Sequence, residues 1–344
     1  MREHQLIEPS LLIKLQMKHS SSLYYVYISN LKRYSRIEAI QHTKQYALDH
    51  FPTEKNEQLA HLEFLYMNDY FEEIATLLNT AVSDENTGVV YQFLLHRLKK
   101  KATRERLDDL LSLQFTQPSL HCLHLFALVY SYYDLKIYTV LDKYLDKCDK
   151  ALQLVDEPLM YYYLNQRYQE LLFQHYWKTD NSILASRYAY KMINTEVSPR
   201  KKSRMYHNLA LNNLFNGYES SIEPLHKALK IAETHHLDTA AKSIKQHSIP
   251  FISAFHLRTG GIYTPDPVET AHIALAEGDY KTTCNILRSM SSLTPFQETY
   301  LGFAEKDVHL LNHSYKRFIH EQGDHFFARL PLEYLARLNY GRGV

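Results

Sequence analysis

Glycine and proline are scarce, 9 and 11 in a chain of 344 residues. A sheet-rich protein would need more tight turns, so long helices joined by short links are expected. The three cysteines, Cys122, Cys148 and Cys284, are far apart, and no C-x-x-C pair exists. That excludes a disulfide framework and suits reduced thiols in a cytoplasmic protein. Neither charge sign dominates: the formal net charge is +1, which argues against a globally basic nucleic-acid binder. No run approaches a membrane span, and no leading apolar stretch resembles a signal peptide. A glycine-rich phosphate loop, a nucleophile elbow and H-E-x-x-H are all missing, so neither catalysis nor a cofactor is expected. His121 and His124 stand three apart without an acidic neighbour to complete a metal set, which favours core or groove histidines.

What the chain does have is tyrosine, 28 in all. On inner helix faces tyrosines fill wide seams or lend hydroxyls to a ligand. Residues 269–338 read as five helices, the first four forming two hairpins. The first runs from Pro267 to Glu277, Gly278-Asp279 closes it, and Tyr280–Met290 is its partner. Pro295 opens the third. The fourth spans Val308–Gln322 and stops at Gly323, and the fifth starts near Asp324. Ala271, Ala274 and Gly278 share one side of the first helix and can face Thr283 and Leu287. A small-residue helix against a larger one is a tetratricopeptide-like unit, and one such hairpin needs stacked neighbours to bury its apolar side.

Those neighbours are legible upstream. Asp69-Tyr70 echoes the Asp279-Tyr280 joint, Tyr133-Asp134 marks another, and Asn216-Gly217-Tyr218 a third. Ser35 and Glu38 have capping-box spacing at the start of a helix reaching His50, and Ser21 or Ser22 can cap the helix before it. A short helix is expected over Ser10–Met17. Pro158 opens a helix that closes near Lys178, with Trp177 as a seam residue in its last turn. Pro250 predicts a kink or a helix end. The basic run Arg97, Lys99, Lys100, Lys101, Arg104 and Arg106 reads as a solvated face or as a phosphate contact. The expected fold is all-α, a tetratricopeptide-like superhelical solenoid of antiparallel helix hairpins. Its parts are a short N-terminal segment over 1–37, a repeat array over 38–258, and C-terminal repeats over 259–344 that cap and dimerise. Asn165, Asn208, Asn212 and Asn213 stand out, because asparagine is a poor mid-helix residue. Their amides can grip a peptide backbone, face water, or bond to the preceding turn.

The segments FNGYESSIEPLHKALKIAE (215–233), AHIALAEGDYKTTCNIL (271–287) and GDHFFARLPLEYLARL (323–338) resemble the arbitrium receptors of Bacillus phages, the AimR family. The resemblance runs from about residue 38 onward and is most specific in roughly the last 140 residues. It implies a homodimeric cytoplasmic receptor for an imported signalling peptide of about six residues. Peptide binding would then control lysis–lysogeny transcription from the concave face of the repeats. Asn165 and Arg167 resemble one wall of the family's peptide site, and Lys202, Tyr206, Asn208 and Asn212 the next. Asp324 and Phe327 fall in its terminal motif, where Asp324 could pair with a peptide arginine. Lys202 stands where the family has arginine, while Leu211 and Ala276 stand where a pocket asparagine is expected. The family's N-terminal helix-turn-helix is expected here to be reduced or absent, which leaves DNA a doubtful partner. A peptide sink or a protein–protein adaptor on the same scaffold is the alternative.

Overall fold

The computed structural model describes residues 12, 15, 17, 20–82, 84–99, 102–195 and 197–340. Most of the helix expected over Ser10–Met17 lies outside these residues, as do Lys100 and Lys101. Among the described residues there is no strand, and the architecture is an all-α array of helix hairpins. The chain divides into two compact units: one runs through Leu172 and adds Asn194–Ser198, and the other is Phe173–Ile193 with the chain from Pro199 onward.

The N-terminal unit contains α1 (Ser22–Arg33), α2 (Arg36–Asp49), α3 (Lys55–Met67), α4 (Phe71–Thr80), α5 (Glu85–Lys99), α6 (Arg104–Ser112), α7 (Pro118–Asp134), α8 (Leu141–Gln153) and the larger part of α9 (Pro158–Lys178). Ser21 caps α1 by accepting from the Tyr24 amide. Ser35 and Glu38 close a reciprocal capping box on α2. α1 pairs with α2, and α7 with α8. Leu23, Tyr24 and Tyr27 of α1 are buried, so this helix is part of the packed hairpin and the boundary expected at residue 37 falls inside it. The basic run is partly spent on structure: Arg97 makes a two-pronged ion pair with Asp134, both bonds 2.8 Å.

The C-terminal unit contains the end of α9, then α10 (Ser182–Asn194), α11 (Pro199–Asn212), α12 (Tyr218–Thr234), α13 (Asp238–Ser243), α14 (Ile249–Phe255), α15 (Pro267–Ala276), α16 (Tyr280–Arg288), α17 (Pro295–Glu305), α18 (Val308–Lys316) and α19 (Arg329–Tyr340). Hairpin α15–α16 packs on α17–α18, α14 packs between α12 and α15, and α19 packs on α17 and α18. The small-residue seam forms as expected: Thr283 donates to the Ala271 carbonyl at 3.0 Å, and Leu287 is buried. At Gly302 the close approach is real, because an added Cβ would stand 3.0 Å from Leu311 Cγ and 3.1 Å from its backbone nitrogen.

Three local expectations change. Pro250 does not end the chain's helix. A π-helical turn over Ile244–Ser248 lets the Ile249 amide reach the Ile244 carbonyl and carries the helix past the proline. The fifth terminal helix begins at Arg329, not at Asp324, because residues 325–328 form turns. The Asp69-Tyr70 echo is also offset by one residue. Asp69 holds the left-handed conformation that Gly278 holds in the later hairpin, and the amide after each reaches back five residues, Tyr70 to Leu65 and Asp279 to Ala274.

Candidate functional site

The sequence-derived site residues separate between the two units. Asn165 and Arg167 belong to the N-terminal one. Asn165 is half-buried and accepts from Gln169 one turn on, at 3.2 Å. Arg167 is 1% exposed and paired with Glu63 through two bonds of 2.7 and 3.1 Å. Tyr91 donates to the same carboxylate, and the guanidinium lies over the Tyr66 ring. Burial alone works against this charge, but Glu63 overcomes it, so Arg167 titrates well above its ordinary value. Arg167 is a core ion-pair partner, enclosed on every side.

The other six belong to the C-terminal unit. Asn212 is buried and donates to the Ser182 carbonyl and to Ser186 Oγ, pinning α11 to α10. Asp324 is buried with both oxygens engaged: Lys178 Nζ at 2.7 Å and the Phe327 amide at 3.0 Å. The Lys178 ammonium also lies over the Trp177 and Phe327 rings. Trp177 is the expected seam residue, packed on Phe173, Phe326 and Phe327. Lys202, Tyr206 and Asn208 are half-buried on α11, and Asn208 bonds to His207.

Of the eight, Phe327 lines a hollow of about 330 Å³ in this unit. Its walls are mostly rings. Phe327 and Phe296 meet edge-to-face at 4.9 Å, Phe251 stands 6.0 Å from Phe296, and Tyr300 adds a fourth ring. His207 and Leu211 of α11 complete one side. Leu211, where an asparagine was expected, therefore makes that side more apolar. His207 Nε2 bonds to Ser248 Oγ at 2.7 Å, and burial lowers its imidazole to about 4 despite the Asn208 bond.

The polar group in this hollow that lacks a partner is Glu269, in the first turn of α15. Its side chain is 13% exposed, and Oε2 has no hydrogen-bond partner. Burial, helped by Asp266 and opposed by His247, pushes the carboxyl up to about 8. One turn along, His272 is fully buried, with Nδ1 3.6 Å from that oxygen and also unpartnered. Its Nε2 bonds to the Tyr334 hydroxyl at 2.7 Å, and its ring stacks on Tyr300 at 4.0 Å. Burial, then Arg337, lowers this imidazole to about 3. Reading the sequence missed Glu269, His207 and His272. The available signal was Glu269 and His272 at i, i+3 on an alanine-rich helix, where charge is out of place.

A larger hollow of about 620 Å³ in the N-terminal unit is rimmed by carboxylates. Two of them serve the fold: Glu54 caps α3, and Glu157 accepts from Ser21 and the Met160 amide. Among the described residues no group of three His, Cys, Asp or Glu is placed to hold a metal ion, and no helix is long and apolar enough to cross a membrane.

Comparison with known proteins gives the fold and the family. A phAimR–ligand structure superposes with a TM-score of 0.72 at 16% identity, covering 86% of this chain and 92% of that one. A selenomethionine phAimR structure gives 0.61 at 16% identity, covering 95% and 88%. An uncharacterized Bacillus anthracis protein, pXO2-35, is 24% identical over 233 residues, which is 61% of this chain and 82% of that protein. The AimR transcriptional regulator-like family matches residues 39–337, so the chain belongs to that family.

Proposed function

We propose that this chain is a cytoplasmic receptor for a short signalling peptide of about six residues, and that it controls lysis–lysogeny transcription without catalysing a reaction. The observation that carries the reading is the aromatic hollow beside α11 and Phe327, concave and apolar with one unpartnered polar group. Its volume suits side chains of a peptide rather than a whole chain segment. Lys202, Tyr206 and Asn208 extend along the same helix as His207 and Leu211, and they are the α11 groups we assign to the peptide backbone. Within the N-terminal unit, taken by itself, Asn165 is the amide we assign to peptide contact. A homodimer held by the C-terminal repeats is part of this proposal, as is control of DNA through peptide-dependent dimer geometry.

Calorimetric titration of the full chain with a pool of synthetic phage-signal hexapeptides, with light scattering for mass, tests the proposal. Micromolar or tighter binding of one peptide to a dimer supports it. A folded protein that binds none of them turns the reading to a protein–protein adaptor.

A further inference from the structure

We propose that Asn216, in the joint of the α11–α12 hairpin, is a site of spontaneous deamidation whose isoaspartate product loosens that hairpin. The proposal goes beyond the receptor reading and does not depend on it. Sequence and geometry coincide at this joint. Of the chain's asparagines, Asn216 alone is followed by glycine. Both residues are exposed, and Gly217 holds a φ of 102°. A Cβ added to Gly217 would meet nothing within 4 Å, so the space around its backbone is open. Among the described residues, neither the Asn216 side-chain amide nor the Gly217 N–H has a hydrogen-bond partner. Nearby asparagines are held instead. Asn212 donates to Ser182 and Ser186, Asn213 donates to the Ser220 carbonyl at 3.0 Å, and Asn181 accepts from the Leu184 amide at 3.2 Å. Each also precedes a residue whose Cβ crowds the amide nitrogen that would have to attack, a barrier glycine lacks.

The chemistry needs only water. The Gly217 amide nitrogen attacks Asn216 Cγ, so an N–Cγ bond forms and the Cγ–Nδ2 bond breaks. The amide proton goes to the departing nitrogen, which leaves as ammonia, and a succinimide ring remains. Water then opens the ring. Breaking the bond at Cγ leaves an aspartate on the ordinary backbone. Breaking the bond at the main-chain carbonyl leaves an isoaspartate, which adds a methylene to the backbone. The two products act differently on the hairpin. Gly217 caps α12 without a side-chain cap bond, so a carboxylate just before it is favoured by the helix dipole. The added methylene falls between Asn213 and Gly217, whose carbonyls both accept from buried Ser221 Oγ, at 2.9 and 3.1 Å. That clasp closes the joint, and lengthening the chain inside it breaks the spacing of the two carbonyls.

The test incubates the full chain in a mildly alkaline, ammonia-free buffer made with heavy-oxygen water, beside the same chain in urea. Peptide mapping by mass spectrometry should place heavy oxygen at position 216 of the folded chain before any other asparagine converts, with ammonia released in step. Isoaspartate should exceed aspartate, read by methyl transfer from S-adenosylmethionine with an isoaspartyl methyltransferase. Asn216→Gln, which must close a larger ring, should stop the release. The converted chain, isolated by ion exchange, should melt below the wild type. Asn216→Asp carries the charge without the methylene and should melt at or above it. Asn216 makes no side-chain bond, so both variants should fold. A folded chain that keeps Asn216 while the chain in urea converts overturns the site. So does earlier conversion of another asparagine, or ammonia release from Asn216→Gln at the wild-type rate. Equal melting of the converted chain and Asn216→Asp overturns the loosening of the hairpin.

Discussion

Glu63 in the N-terminal unit and Glu269 in the C-terminal unit are both shielded carboxyl groups, and the two are treated in opposite ways. In the N-terminal unit Glu63 is fully enclosed and answered: Arg167 gives it two bonds, Tyr91 a third, and rings flank the guanidinium. In the C-terminal unit Glu269 sits at the edge of a hollow, and its Oε2 faces a histidine nitrogen it does not reach. A closed, satisfied ion pair rigidifies a core, whereas a buried carboxyl left without a counter-charge holds its proton. Arg167 and Asp324, both expected to face a peptide, are each tied into an internal pair.

The sharpest way to break the contrast is to strand Glu63. Arg167→Met should cost about 3–5 kcal/mol of unfolding free energy in urea, because it leaves a buried charge unpaired. Replacing both partners with apolar residues of similar volume should recover most of that loss. If Arg167→Met unfolds like the wild type, the pair does not hold the fold. Gly302→Ala should cost about 1–3 kcal/mol through overpacking, since the added methyl meets the Leu311 backbone as well as its side chain.

The pH dependence sharpens the comparison. The unfolded Glu269 sheds its proton near the ordinary carboxyl value, while the folded one keeps it to about 8. The folded state therefore binds more protons between those values. Its contribution is fully present below the ordinary value and is lost as pH rises towards 8. His272 and His207 act in the opposite sense. Both titrate low, at about 3 and about 4, so their contribution is present above the ordinary histidine value and is lost as pH falls below it. Between the ordinary histidine value and pH 8 the Glu269 effect acts alone among these three, worth roughly 2 kcal/mol. Urea titrations across that window should show a decline in the wild type that Glu269→Gln removes. A parallel decline in both proteins would show that Glu269 is not its source.

The smallest effects distinguish the asparagines. Asn212→Ala should cost about 1–2 kcal/mol, because its amide joins α11 to Ser182 and Ser186 of α10. Asn165→Ala, half-buried with one local partner, should stay within about 0.5 kcal/mol while weakening peptide binding. Equal losses from the two would remove the distinction.

The hairpins were readable because their signals are local. Pro267 and Pro295 open helices, Ser35 and Glu38 close a capping box, and Gly278 and Gly323 take left-handed turns. Other joints were harder to place, because the left-handed residue is not glycine: Asp69, Lys136, Asp180, His236, Leu257 and Lys306 fill that position. The backbone motif tolerates those side chains at a modest cost that packing of the hairpin offsets.

By itself, the sequence determined an all-α repeat array, the order of its hairpins and a family resemblance most specific in roughly its last 140 residues. These follow from helical period, caps and breakers that act over a few residues. Only the tertiary structure decided which polar groups are answered. Arg167 meets Glu63 across 104 positions and Lys178 meets Asp324 across 146, and no local pattern announces either pairing. Burial then does the rest: it fixes the charges that have a partner, and it leaves Glu269 holding a proton where they do not.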